Sequence, residues 1–192
     1  MVAAPTPVQN IPLPLRRNDV QLVCLEVEHA KLLRKWMSDP GTLYFATVGI
    51  PIPQSVQQAE KMIRSFEESA DAFLLGVSQA STNETVGFGC LGHIDWKNRS
   101  GMVGLLLGNE KIRGRGLGRD ALHLLLDFAF GELNLKRVYG DILPYNLASQ
   151  RMCERLGFVV EGIKRQGCYR AGDYHDLVSV SMLREDWLSH SG

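Results

Sequence analysis

Between Met102 and Phe128 the chain changes character within a few residues, and that change constrains the fold more than any other feature. Met102 to Gly108 is a nearly continuous apolar run, the pattern of a strand covered on both faces. Leu117, Ala121, Leu124 or Leu125, and Phe128 then recur along one face of a helix. The join is Arg113-Gly114-Arg115-Gly116-Leu117-Gly118, followed by Arg119. A glycine-rich turn that opens a helix leaves backbone N–H groups unpaired at the positive end of the helix dipole, where phosphate oxygens bind. Glycine permits close approach because no Cβ intervenes. Arg113, Arg115 and Arg119 add positive charge. The segment therefore reads as a site for a pyrophosphate or phosphate ester; an ordinary Gly-Arg loop is the alternative for the hexapeptide alone.

Two phosphate ligands fit poorly. A kinase-type P-loop needs Gly-Lys-Ser/Thr at the end of the turn, and none is present. A dinucleotide fingerprint counted from Gly114 needs a third glycine where Arg119 stands.

The rest of the chain supports one domain. Its 192 residues suffice for a sizeable core but are short for two domains, and 45% apolar with 22% charged residues is ordinary for a globular protein. The formal net charge of zero argues against a chain built to coat nucleic acid or an anionic membrane. No apolar run approaches the ~20 residues that span a bilayer, and no signal-like segment opens the chain, so a cytoplasmic location is expected. Cys24, Cys90, Cys153 and Cys168 are widely spaced, as reduced thiols rather than a metal or disulfide framework. Residues 1–18, with Pro5, Pro7, Pro12 and Pro14, read as a flexible arm, and residues 19–188 as the domain.

Within that domain the patterning predicts a strand at Val20–Glu26 and a helix at Glu28–Met37 stopped by Asp39-Pro40. An irregular, candidate functional segment spans Gly41–Gln54, and Ser55 caps a helix reaching Glu68. Strands are expected at Ala72–Gln79, Thr85–Trp96, Met102–Gly108 and Leu135–Leu143, a helix at Asn146–Leu156, and two strands at Phe158–Tyr169 and Tyr174–Leu183. The order implies a mixed sheet of about seven strands flanked by about four helices, an α/β (α+β) architecture.

At this point a resemblance becomes specific. Arg113-x-x-Gly116-x-Gly118 resembles the acetyl-CoA signature of the GNAT (GCN5-related N-acetyltransferase) superfamily, and it follows a strand and opens a helix as that family requires. Asn146-x-x-Ser149, running through Leu156-Gly157-Phe158, looks like the family's second motif. With Glu161-Gly162 and Gly172-Asp173-Tyr174-His175-Asp176, the chain is similar to the branch holding the RimJ/RimL-type ribosomal-protein and spermidine acetyltransferases.

The resemblance implies transfer of acetyl from acetyl-CoA to a primary amine by direct attack, with no metal. The acceptor would be a protein N-terminus, a polyamine or a small metabolite; nucleic-acid and membrane partners are not implied, and a homodimer is. Backbone groups of Leu105, Leu106 and Leu107 would meet the pantetheine arm. The amides of Arg113, Gly114, Arg115, Gly116, Leu117, Gly118 and Arg119 would hold the pyrophosphate, and Asn146 and Ser149 would face the cofactor.

One departure bears on mechanism. Many relatives carry a Tyr general acid seven residues after the Asn, and here that position is Cys153. Ser149 becomes the first candidate acid, with Cys153 and Tyr145 as alternatives. For the base, His93 and Asp95 alternate onto one face of the strand before the apolar run. The loop Gly41–Gln54 lacks carboxylates, which disfavours a polyamine pocket unless Glu67, Glu68 and Asp71 form an acidic rim. Two further readings follow from the same residues: a non-catalytic acyl-CoA-binding or sensing module, suggested by the missing Tyr, and a nucleotide-binding protein.

Overall fold

Val20 and Leu22 are buried while Gln21 and Val23 are half-buried, the alternation of a strand with one face toward the core. The computed structural model describes residues 15–45, 52–108 and 114–190. In chain order these form β1 (Arg16–Arg17), β2 (Val20–Cys24), α1 (Ala30–Trp36), α2 (Pro40–Tyr44), α3 (Val56–Glu67), β3 (Phe73–Gln79), β4 (Thr85–Asp95) and β5 (Ser100–Leu107). They continue with α4 (Leu117–Asp127), β6 (Arg137–Ile142), α5 (Leu147–Arg155), β7 (Val159–Arg170), β8 (Asp173–Leu183) and α6 (Arg184–His190).

The sheet has eight strands in the order β1-β2-β3-β4-β5-β6-β8-β7, one more than expected. Every neighbouring pair is antiparallel except β5 and β6, which run parallel over Ser100–Met102 only. Beyond Met102 that ladder stops, while β6 continues against β8 through Ile142. The sheet is therefore split between β5 and β6.

Alternate residues of β5 serve opposite faces. Leu105 and Leu107 pack with α4 through Leu117, Ala121, Leu124 and Leu125. Leu106 packs with Leu33 and Trp36 of α1 and Ile63 of α3. Helices thus cover both faces, as a strand apolar at successive positions requires. Leu105 to Leu107 are nevertheless only half-buried, because β6 departs on one side.

Three differences from the sequence reading have physical causes. The helix before Asp39-Pro40 ends as expected, but the same pair starts α2 inside the segment read as irregular: the Asp39 carboxylate accepts the Thr42 N–H at 2.7 Å and Pro40 occupies the first turn. Residues 15–18 belong to the domain rather than to an arm. Leu15 is buried, Arg16–Arg17 pair with β2, and the Asn18 amide donates to Asp120 Oδ2 at 2.9 Å. The arm's remaining residues, 1–14, lie outside those described. Finally α6 has no helical apolar stripe; it is held by Trp187, buried against Phe130 and donating to Asp127 Oδ1 at 3.2 Å. Among the described residues this makes six α-helices rather than four.

Candidate acetyl-CoA site

The first turn of α4 is built to leave its amides available. Gly116 is the N-cap, with φ +85°, a conformation that costs a residue with Cβ about 1–2 kcal/mol. No side chain caps the helix. Asp120 N–H makes the first bond, to Gly116 C=O at 3.0 Å, so the N–H groups of Leu117, Gly118 and Arg119 precede the helical ladder. Gly114, at φ +80°, turns the backbone just before. Leu117 is buried and acts through its backbone only, while Arg115 and Arg119 are exposed beside the turn. Arg113 lies outside the described residues.

The decisive geometry is at Gly118. A Cβ there would lie 3.4 Å from Leu107 Cδ1, 3.5 Å from Met152 Sδ and 3.9 Å from Leu105 Cδ2. The signature glycine therefore sits where β5, the start of α4 and α5 meet, at the mouth of the split in the sheet. Strand backbone, helix-start amides and the helix capped by Asn146 thus come together around one glycine. That set suits a long, flexible thioester with a diphosphate at one end. Among the described residues no His, Cys, Asp and Glu cluster suited to a metal is present.

At the start of α5, Asn146 caps the helix: its Oδ1 accepts the Ser149 N–H at 3.2 Å. Ser149 is half-buried and its hydroxyl bonds the Cys153 thiol one turn on. Cys153 is 7% exposed and packs in the core with Leu122, Leu126 and Phe158. Burial pushes its thiol up to about 11, partly offset by the Ser149 bond, so it stays protonated at neutral pH.

Tyr145 lies between two elements. Its hydroxyl donates to Tyr44 C=O at 3.0 Å, its ring stacks on Tyr44 at 4.6 Å, and its other side meets His175 edge-on at 5.3 Å. Phe45 stands 6.1 Å away. Desolvation first, then Tyr44, raises the phenol above its ordinary value. This aromatic wall joins α2 to β8 beside the start of α5; the sequence reading named Tyr145 as a candidate acid and Gly41–Gln54 as a candidate functional segment, and packing is what brings their rings together.

His93 and Asp95 are exposed at the end of β4 that leads into the turn before β5. The β4–β5 pairing breaks between Gly92 and Asp95, His93 adopts φ +50°, and the expected alternation is lost. Asp95 pairs with Ser100, two residues before Met102, where the β5–β6 ladder stops. Its carboxylate accepts the Asn98 N–H at 2.9 Å and the Asn98 amide at 2.6 Å. Those bonds hold its carboxyl below the ordinary range, the wrong direction for a base at neutral pH. Glu67, Glu68 and Asp71 gather at the same end, where Asp71 C=O accepts Ile94 N–H at 3.0 Å. Glu67 also lines a cavity of about 220 Å³ with Cys24, Ile63, Phe66 and Phe73, between α3 and the sheet and apart from the split. Asp176 accepts the Gln166 N–H at 2.8 Å, where the β7–β8 register shifts.

The model of the acetyltransferase (GNAT) domain family matches residues 19–159. The chain belongs to the GNAT acetyltransferase family. An uncharacterized N-acetyltransferase, p20, of Bacillus licheniformis is 29% identical over 168 residues, covering 85% of this chain and 92% of the relative. The [ribosomal protein uS5]-alanine N-acetyltransferase of Escherichia coli (strain K12) is 25% identical over 138 residues, 70% of each chain. The fold is shared with the spermidine N-acetyltransferase of Vibrio cholerae, solved with CoA and spermine. That match has a TM-score of 0.83 at 20% identity and covers 90% of this chain and 99% of that one. This GNAT protein is thus an acetyl-CoA-dependent N-acetyltransferase, and no helix among its described residues is long and apolar enough to cross a membrane.

Proposed function

We propose that the protein transfers the acetyl group of acetyl-CoA to a primary amine carried by a protein N-terminus or a small molecule. The observation that carries this reading is the meeting of Gly118, Leu105, Leu107 and Met152 at the split between β5 and β6. In the reaction the neutral amine attacks the thioester carbonyl, a C–N bond replaces the C–S bond, the nitrogen loses a proton to water, and the departing CoA thiolate takes one. Acetyl-CoA supplies the activated acyl group. The amides of Leu117 to Arg119 hold its diphosphate, and the half-buried Ser149 hydroxyl supplies the proton. Cys153 supports Ser149 through their hydrogen bond, and its protonated thiol faces the core.

The acceptor enters beside Tyr44, Phe45, Tyr145 and His175. This wall is aromatic rather than acidic, and Glu67, Glu68 and Asp71 lie at the other end of β4. Both observations favour the α-amine of a peptide, with its first side chain against the rings, over a polyamine, whose several cations need carboxylates.

The test is detection of acetyl transfer by intact mass across peptides of varied first residue, polyamines, lysine peptides and aminoglycosides. Acetylation of the peptide α-amine is expected, and Gly116→Asp with Gly118→Asp should abolish it. Tight acetyl-CoA binding with no acetylated amine would favour the non-catalytic acyl-CoA-binding module suggested by Cys153. Failure to bind acetyl-CoA would overturn the reading.

A further inference from the structure

The residue after β5, Gly108, lies directly under the indole of Trp36. A Cβ on Gly108 would fall 2.0 Å from Trp36 Cδ1 and 2.1 Å from Cγ and Nε1, far inside contact distance. The glycine is thus required by the ring, which presses on the backbone itself. On the neighbouring strand, Gly108 N–H donates to Val86 C=O at 3.0 Å. The chain end that leads from the cofactor-facing strand toward the diphosphate turn is held between these two contacts.

Trp36 is itself fixed. It is 4% exposed, tilts against Phe88 at 6.4 Å, and packs with Leu33 and Ile63. Phe88 pairs directly with Leu106, so the indole supports β5 both through its neighbour and at its end. Trp36 is also the last residue of α1, three positions before the Asp39 cap of α2, which carries Tyr44 of the aromatic wall. One ring stands between the acceptor side and the cofactor side.

We propose that Trp36 is a positioning residue for acetyl-CoA: its indole braces the end of β5 at Gly108, so that the strand edge beside the split is ordered before the cofactor arrives. This rests on the acetyltransferase reading of the cleft. β5 loses β6 as a neighbour after Met102, so an unbraced end would have to be ordered by the cofactor, at a cost in affinity. The effect falls on binding, because Trp36 is remote from the reacting atoms in the sense that Gly108 and β5 stand between.

The full-length protein labelled with 5-fluorotryptophan has three tryptophans, Trp36, Trp96 and Trp187, whose fluorine resonances are assigned by single Phe substitutions. Titration with CoA should move the Trp36 resonance and leave that of Trp96 in place, since the Trp96 indole bonds Ala70 C=O at the far end of β4. Trp36→Phe should raise the CoA Kd and the acetyl-CoA KM about tenfold and change kcat less than about twofold. A stationary Trp36 resonance at saturating CoA would overturn the proposal, as would a folded Trp36→Phe protein that binds CoA as the unsubstituted one does. If Trp36→Phe does not fold, the resonance shift in the unsubstituted protein decides. Failure of the unsubstituted protein to bind CoA would instead overturn the underlying reading.

Discussion

The Tyr145 hydroxyl donates to the Tyr44 carbonyl at 3.0 Å while the two rings stack at 4.6 Å, so α2 is tied to the residue that immediately precedes the Asn146 cap. Tyr145→Phe keeps the stack and removes the bond. It should cost about 1 kcal/mol of stability. It should also raise KM for the amine while leaving KM for acetyl-CoA unchanged. Steady-state kinetics with both substrates varied checks this, and equal rises in both constants would place Tyr145 on the cofactor side.

Cys153 supplies a pH dependence with a defined sign. Its thiol is raised from 9.0 to about 11 in the folded protein. Folding favours the protonated form, so this contribution to stability is fully present below pH 9 and is lost as pH rises toward 11. The loss amounts to about 3 kcal/mol. Melting curves of the protein and of Cys153→Val should therefore converge differently across pH 9 to 11, the variant falling less. At pH 7 iodoacetamide should leave Cys153 unmodified in the folded state, as peptide mapping would show.

The docked N-terminal segment makes a truncation prediction. Asn18 bonds the buried Asp120 carboxylate, whose Oδ1 lies 3.6 Å from Arg17 Nε and 4.0 Å from Arg119 Nη2. Asn18→Ala should cost about 1–3 kcal/mol, because it strips a bond from a buried charged group. Removing residues 1–18 should lower Tm well below that of a chain lacking only residues 1–14, since Leu15 and β1 go with it. Equal melting temperatures for the two truncations would refute the docking.

Gly116→Ala separates backbone strain from steric block. Nothing lies within 4 Å of a Cβ placed there, so any penalty comes from φ +85° alone. A stability loss of about 1 kcal/mol is expected. A larger loss in acetyl-CoA affinity should accompany it, because relaxing φ turns the Leu117 and Gly118 amides away from the diphosphate. Calorimetric titration with CoA measures the second effect directly.

Asp95→Ala should leave kcat within about twofold, as befits a carboxylate that organises a turn rather than one that accepts the amine proton. The measurable change should be earlier hydrogen exchange in the β4–β5 hairpin, where the Asn98 bonds are lost. A kcat reduced a hundredfold would return Asp95 to the active site.

The family was legible in the chain itself, and so were the turn and the cap on which the proposed cofactor site is built. The apolar run into Gly114-Arg115-Gly116-Leu117-Gly118 and the Asn146 cap act through local backbone geometry, and local geometry is written in consecutive residues. The strand and helix order was legible for the same reason, through periods of two and 3.6. Short elements held by one contact were not: α2 depends on a cap that looked like a stop, and α6 on Trp187 meeting Phe130. The shared face expected of His93 and Asp95 was lost to a single register break near His93, which no alternation of residue types announces. The aromatic wall and the brace at Gly108 unite positions about 70 to 130 residues apart, and only packing brings such positions together. Sequence alone determined that a glycine-rich turn opens α4 directly after an apolar strand. Tertiary structure decided what stands around it, because side chains distant along the chain become neighbours only when the sheet splits between β5 and β6 and helices cover both of its faces.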